Sequence, residues 1–123
     1  MKIRYKIWME NDGEVVFGKG RGELLRAIDD LHSLYAAAKK LKMSYRAAWG
    51  RLKASEARLE LRLVQTDGRG KGMRLTEEAK LLLTRYDNLQ RETEDFIMKE
   101  REAFSLQSLR NRQKTRTGNL PTP

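Results

Sequence analysis

The segment Ser33 to Gly50, SLYAAAKKLKMSYRAAWG, constrains this chain more than any other stretch. Serine is a favoured helix N-cap because its hydroxyl accepts a hydrogen bond from an amide of the first turn that has no partner inside the helix. Ser33 and Ser44 therefore predict two helices, about Leu34 to Leu41 and Tyr45 to about Leu59, with Lys42-Met43 as the turn between them. Ala36, Ala37 and Ala38 keep the first helix slim enough to lie close to the second. On the second, Ala48, Leu52 and Leu59 form the inward row, which leaves Arg46, Gly50 and Lys53 facing out. Two short helices with this turn form a helix-turn-helix pattern, in which the second helix offers its first turns to a nucleic-acid groove.

The flanks predict the rest of the architecture. Ile3, Tyr5 and Ile7 alternate with Lys2, Arg4 and Lys6, which predicts a half-buried strand over Lys2 to Met9. Asp12-Gly13 suits a tight hairpin, and Glu14 to Phe17 reads as the return strand. The glycine-rich Gly18 to Gly22 reads as a break before a helix from about Glu23 to Leu31, with Leu24, Leu25, Ile28 and Leu31 on its apolar face. Beyond the helix-turn-helix, Leu61 to Thr66 and Met73 to Leu75 read as strands flanking a basic tip, Asp67 to Gly72. A hairpin in that place is a wing. Thr76 is placed to cap a long last helix reaching about Phe104, with Glu77 and Glu78 suiting its positive end. Leu75, Leu82, Leu89, Phe96 and Ala103 recur every seven residues, with Tyr86 on the neighbouring row. Such a seam exceeds what a small domain needs and predicts a homodimer through Leu82, Tyr86, Leu89 and Phe96. The plainer alternative is that the seam only covers its own domain. The expected fold class is mainly α with small β: a winged helix-turn-helix over 1–104, with an N-terminal hairpin and a long dimerisation helix. Residues 105–123 are polar and basic and predict a disordered tail.

Charge narrows the function. The net charge is +9, and its location says more than its total. Residues 37–74 hold eleven basic and three acidic side chains, and residues 105–123 hold four basic and none acidic. A basic excess on the helix-turn-helix, the wing and the tail points to a polyanion, double-stranded DNA first. Ser33, Ser44, Tyr45, Arg46, Trp49 and Lys53 are the candidate contacts on the helices, and Arg69, Lys71 and Arg74 those on the wing. Arg46 suits bidentate bonding to guanine, and the wing's glycines suit close approach to phosphates. The plainer reading is a helical hairpin with a solvated basic face. Arg110, Arg112, Lys114 and Arg116 in the tail would add non-specific attraction to DNA, or be a frayed end with no role.

Several classes are disfavoured. The chain has no cysteine, which excludes disulfides, thiol catalysis and cysteine zinc sites. His32 is its one histidine, so neither a metal cluster nor a catalytic triad is suggested. The glycine-rich stretches 18–22 and 68–72 complete neither phosphate-binding motif. No apolar run approaches the ~20 residues of a membrane span. The first ten residues lack a signal-peptide core, so a cytoplasmic protein is expected.

KIRYKIWME (2–10), GEVVFGKGR (13–21), SLYAAAKKLKMSYRAAW (33–49) and GRGKGMRLTEEAKLLL (68–83) together resemble the DNA-binding domain of the ModE family of molybdate-responsive transcription regulators. The helix-turn-helix alone also resembles the LysR type, more weakly. The resemblance to ModE covers residues 2–104 and implies a dimeric winged helix on a near-palindromic operator beside molybdate or tungstate genes. It implies recognition through Ser44, Tyr45, Arg46 and Trp49, with the wing at Arg69, Lys71 and Arg74. It also likens FSLQSLRN (104–111) to the start of that family's oxyanion-binding part, where Ser108, Arg110 and Asn111 match positions that help bind molybdate. One Arg and a few polar groups in a flexible tail pre-organise no closed site, so no cofactor is expected and the segment reads as a remnant. His32 stands where the family commonly has glycine. The rival functions are a non-specific architectural DNA-binding protein and an oxyanion-binding protein that uses the tail.

Overall fold

A computed structural model describes residues 1–68 and 72–117, the last two by their backbone. The elements in order are β1 (Trp8–Asn11), β2 (Glu14–Gly18), α1 (Lys19–Leu31), α2 (Leu34–Lys40), α3 (Tyr45–Leu59), β3 (Val64–Thr66), β4 (Met73–Leu75), α4 (Glu77–Ala103) and α5 (Leu106–Thr117). The chain divides into two compact units: Ile7–Asp87, and Met1–Lys6 with the segment from Asn88 onward.

The first unit is a winged helix-turn-helix. β1 and β2 pair antiparallel around Asp12 and Gly13, whose φ of 52° and 80° make a turn that matches the strands' own twist. Strand pairing starts at Trp8, not at Lys2, and a register shift between Met9 and Glu10 interrupts it. The alternating residues Lys2 to Ile7 precede β1 and lie outside both strands of this hairpin. β3 and β4 form the second antiparallel hairpin. α1 begins four residues before the expected Glu23, inside the glycine-rich stretch. Packing explains this. Gly22 is buried, and a Cβ there would lie 3.5 Å from the Phe17 ring and 3.7 Å from Leu83. Those are ordinary contact distances, so the approach does not require glycine, and burial of this first turn of α1 against β2 outweighs glycine's helix penalty of about 1 kcal/mol.

Local chemistry sets the other helix ends. Ser33 Oγ accepts from Ala36 N, Ser44 Oγ accepts from Ala47 N, both at 3.0 Å, and Thr76 Oγ1 accepts from Ala79 N at 3.2 Å. His32 ends α1 in the left-handed region (φ 56°), the geometry usually given to glycine, and its amide donates to Ile28 O. The core joins Phe17, Leu24, Leu25, Ile28, Ala37, Ala38, Ala48, Leu52, Leu63, Leu75 and Leu83. Ala37 and Ala48 are fully buried where α2 packs on α3. Tyr86, expected on a dimer seam, lies in this core instead. It is 5% exposed, meets Phe17 edge to face at 5.0 Å and donates its hydroxyl to Ile7 O at 2.9 Å. Half-buried Leu82 packs against the same core.

In the second unit, Tyr5 donates its hydroxyl to Glu94 at 2.7 Å, and Arg101 Nε donates to Met1 O at 3.1 Å. Leu89 and Phe96 are exposed. Of the tail expected to be disordered, residues 106–117 form α5, and 118–123 lie outside the described residues. Ser105 Oγ accepts from Ser108 N at its start, and 106–117 contain neither proline nor glycine. Its apolar residues Leu106 and Leu109 are exposed, so local propensity and capping make this helix rather than a buried face.

Candidate nucleic-acid interface

α3 owes its exposure to the turn before it. Lys42 takes a left-handed conformation (φ 57°) and Met43 N donates to Ala38 O at 3.0 Å, which swings α3 across α2. Ala48, Leu52 and Ser55 then face inward, leaving Tyr45, Arg46, Trp49, Gly50 and Lys53 outside. The expected inward and outward rows hold, with half-buried Leu59 at the far end.

The outward face is more organised than its sequence suggests. The rings of Tyr45 and Trp49 stack at 6.5 Å with planes 15° apart. Lys53 Nζ lies 4.6 Å from the Trp49 ring centre and 3.1 Å from Glu56 Oε1. Glu56 Oε2 accepts from Leu63 N at 2.8 Å, tying this row to the chain entering the wing. Lys53, expected as a free DNA contact, is therefore held over Trp49. The Lys53 and Glu56 spacing, one helical turn, was the available signal. Among the described residues no carboxylate engages Arg46.

Both serines act as caps, each accepting through its oxygen while its O–H remains able to donate outward. In the wing, Asp67 N donates to Gly72 O at 2.9 Å, and Met73 N donates to His32 O at 2.9 Å. The wing is thereby pinned to the end of α1. Arg74 Nε sits 2.6 Å from Asp67 Oδ1, an ion pair at the hairpin base rather than a free cation at its tip. Arg69 and Lys71 lie outside the described residues.

The structure gathers three arginines that sequence reasoning missed, Arg51 and Arg58 on α3 and Arg21 on α1. Arg21 Nε donates to Ser55 Oγ at 2.7 Å, and Arg58 donates to Val15 O and pairs with Glu14, each at 2.7 Å. Burial, then the charges of Arg58 and Arg51, hold Arg21 below the usual arginine range. The seven-residue step from Arg51 to Arg58 was the only sequence hint. Tyr35 on α2, 66% exposed, was also missed.

In α5, Asn111 Oδ1 accepts from Gln107, and Ser108, Arg110 and Asn111 are all exposed. Arg110 stands two residues from Ser108, a spacing that faces different sides of a helix, so the three do not converge on one oxyanion. Among the described residues no cluster of metal ligands occurs, and no helix is long and apolar enough to cross a membrane.

Residues 22–80 match the family model of bacterial regulatory helix-turn-helix proteins of the lysR family. This segment is similar to the lysR-type helix-turn-helix. Solved structures agree on the fold. The chain is similar to the CbnR DNA-binding domain in its DNA complex, with a TM-score of 0.56 and 21% identity over 70% of this chain and 97% of that one. It is similar to the BenM DNA-binding domain on catB site 1 DNA, with a TM-score of 0.53 and 18% identity over 70% and 96%. It is also similar to ArgP from Mycobacterium tuberculosis, with a TM-score of 0.51 and 24% identity, and there spans 28% of the longer chain. Comparison with curated proteins gives no match. These findings support the lysR-type motif, the weaker of the two resemblances in the sequence, and lend no support to the narrower ModE assignment.

Proposed function

We propose that this protein is a sequence-specific transcription regulator that binds duplex DNA through α3 and carries out no chemistry of its own. The observation that carries this reading is the face of α3: Tyr45, Arg46 and Trp49 stand exposed on the first turns of a helix whose opposite face, Ala48 and Leu52, packs into the core. The basic excess over residues 37–74 gives that face a long-range attraction for phosphates. Arg46 suits a guanine edge, and the capping hydroxyls of Ser33 and Ser44 suit the backbone at the two helix starts. The CbnR and BenM domains of the same fold are bound to DNA in their crystals, which supports the same use here.

We extend the reading to a cytoplasmic homodimer on an inverted repeat. Leu89 and Phe96, seven residues apart on α4 and 43% and 62% exposed, are the apolar groups that a second copy would cover. Tyr86 has no part in this surface because its ring is used in the core. The resemblance of 2–104 to ModE supports the narrower proposal that the target genes serve molybdate or tungstate use.

Selection of genomic fragments by the purified protein, sequenced with and without molybdate, tests these layers in turn. An enriched inverted repeat establishes a specific regulator, and its position beside oxyanion-transport genes supports the narrower proposal. Binding without an enriched motif, fading evenly as salt rises, refutes the regulator and leaves an architectural DNA-binding protein.

A further inference from the structure

Most side chains on α3's outer face suit phosphates or hydrogen-bonding base edges, but the ring faces of Tyr45 and Trp49 do not. They expose 50% and 42% of their surface in an otherwise basic region, and their rings lie nearly parallel with centres 6.5 Å apart. Two adjacent exposed rings make an apolar patch that an apolar partner would cover favourably. Indole has a single N–H donor and no acceptor, so it reads little of the hydrogen-bond code of the major groove. One apolar group occurs on base edges there, the thymine 5-methyl.

Trp49 is also held in place. The ammonium of Lys53 covers its ring at 4.6 Å and is anchored by Glu56 at 3.1 Å, and Glu56 in turn accepts from the amide of Leu63. An aromatic ring with a stacking partner one turn before it and a tethered cation one turn after it is restrained before any DNA arrives. That arrangement favours selective contact over loose adhesion.

We infer that the stacked pair Tyr45–Trp49 reads thymine methyl groups in the major groove, and that Lys53 is the positioning residue that holds Trp49 for this contact. The inference rests on the DNA-binding reading above and adds to it a base identity that Arg46 cannot supply. Arg46 selects guanine by hydrogen bonding, and the aromatic pair selects thymine by shape and apolar contact. Lys53 acts through Trp49 and is not itself a base contact.

Deoxyuridine tests this directly, because it differs from thymidine only by the missing methyl. The duplex used is the most enriched fragment from the genomic selection, with thymines replaced singly by deoxyuridine. For the unaltered protein, one or two positions in each half-site should weaken binding by about fourfold, the worth of one buried methyl. Trp49→Ala should bind thymidine and deoxyuridine duplexes equally. Lys53→Gln should shrink the discrimination, and Lys53→Arg, which keeps a cation over the ring, should restore it. A loss of affinity in Trp49→Ala that leaves the discrimination intact overturns the assignment, placing the ring on sugar or phosphate. Equal binding of all duplexes by the unaltered protein also overturns it, with no variant needed, while the regulator reading stands on the enriched motif. If the selection enriches no motif, the regulator reading falls and takes this inference with it.

Discussion

Gly50 lies in the middle of α3, on the face that we assign to DNA, and its replacement by alanine separates stability from function. A Cβ at Gly50 would have no heavy atom within 4 Å, and the residue is in ordinary helical backbone. Gly50→Ala therefore meets no steric penalty in the free protein. Relief of glycine's conformational entropy in a helix should stabilise the fold by about 1 kcal/mol. For a unit the size of Ile7–Asp87 that corresponds to a rise in Tm of about 4–8 °C. The same methyl group would stand between Arg46 and Lys53, where the helix approaches the groove. Overpacking of a close interface costs about 1–3 kcal/mol, so operator affinity should fall by about tenfold. Urea denaturation followed by circular dichroism measures the first effect, and fluorescence anisotropy with the selected operator measures the second. A loss of stability would refute the open-space argument. A stabilised variant with unchanged operator affinity would show that the Gly50 side of α3 does not face DNA.

Three further outcomes are expected. Ser44→Ala removes the hydroxyl that accepts from Ala47 N and should destabilise the fold by about 1 kcal/mol in denaturant titration, whereas Ser44→Asp, which keeps the cap, should restore stability yet weaken DNA binding by repelling phosphate. Gly72→Ala should destabilise by about 1–3 kcal/mol in the same assay, because φ is +109° there and a Cβ would sit 3.0 Å from His32 O. Burial first, and the nearby Asp87 second, raise the Tyr86 phenol above its ordinary pKa, although Arg26 opposes them. The folded state thus holds this proton more tightly than the unfolded state. Its stabilisation is complete below the unfolded tyrosine value and fades as pH climbs through the higher folded value. Stability above about pH 10 should therefore fall less steeply in Tyr86→Phe, after that variant has lost about 1 kcal/mol with its hydrogen bond to Ile7 O.

Among the fold's features, the helix starts were the most legible in the sequence. Ser33, Ser44 and Thr76 cap within three residues of themselves, so the chain carries both partners of each bond close together. The Asp12-Gly13 turn is local in the same way, since the two left-handed residues are the turn. The start of α1 was not legible. Local rules read Gly18 to Gly22 as a break, whereas Gly22 is buried beside Phe17, a residue on another element, and that packing holds the segment in the helix.

The candidate site divides along the same line. Helical period alone determined that Arg46, Gly50 and Lys53 lie outside while Ala48 and Leu52 lie inside, because the outward and inward rows of one helix follow from 3.6 residues per turn, whereas it left Trp49 open between DNA backbone and core. Tertiary structure alone decided where the longer side chains end. It placed Tyr86 in the core beside Phe17 and paired Arg74 with Asp67 across the wing. It also tied Lys53, through Glu56, to the amide of Leu63. A cap or a turn is a bond between near neighbours, and sequence spacing specifies it. The destination of a long ring or a charged chain depends on which distant backbone comes within reach, and that is known only once the elements have packed.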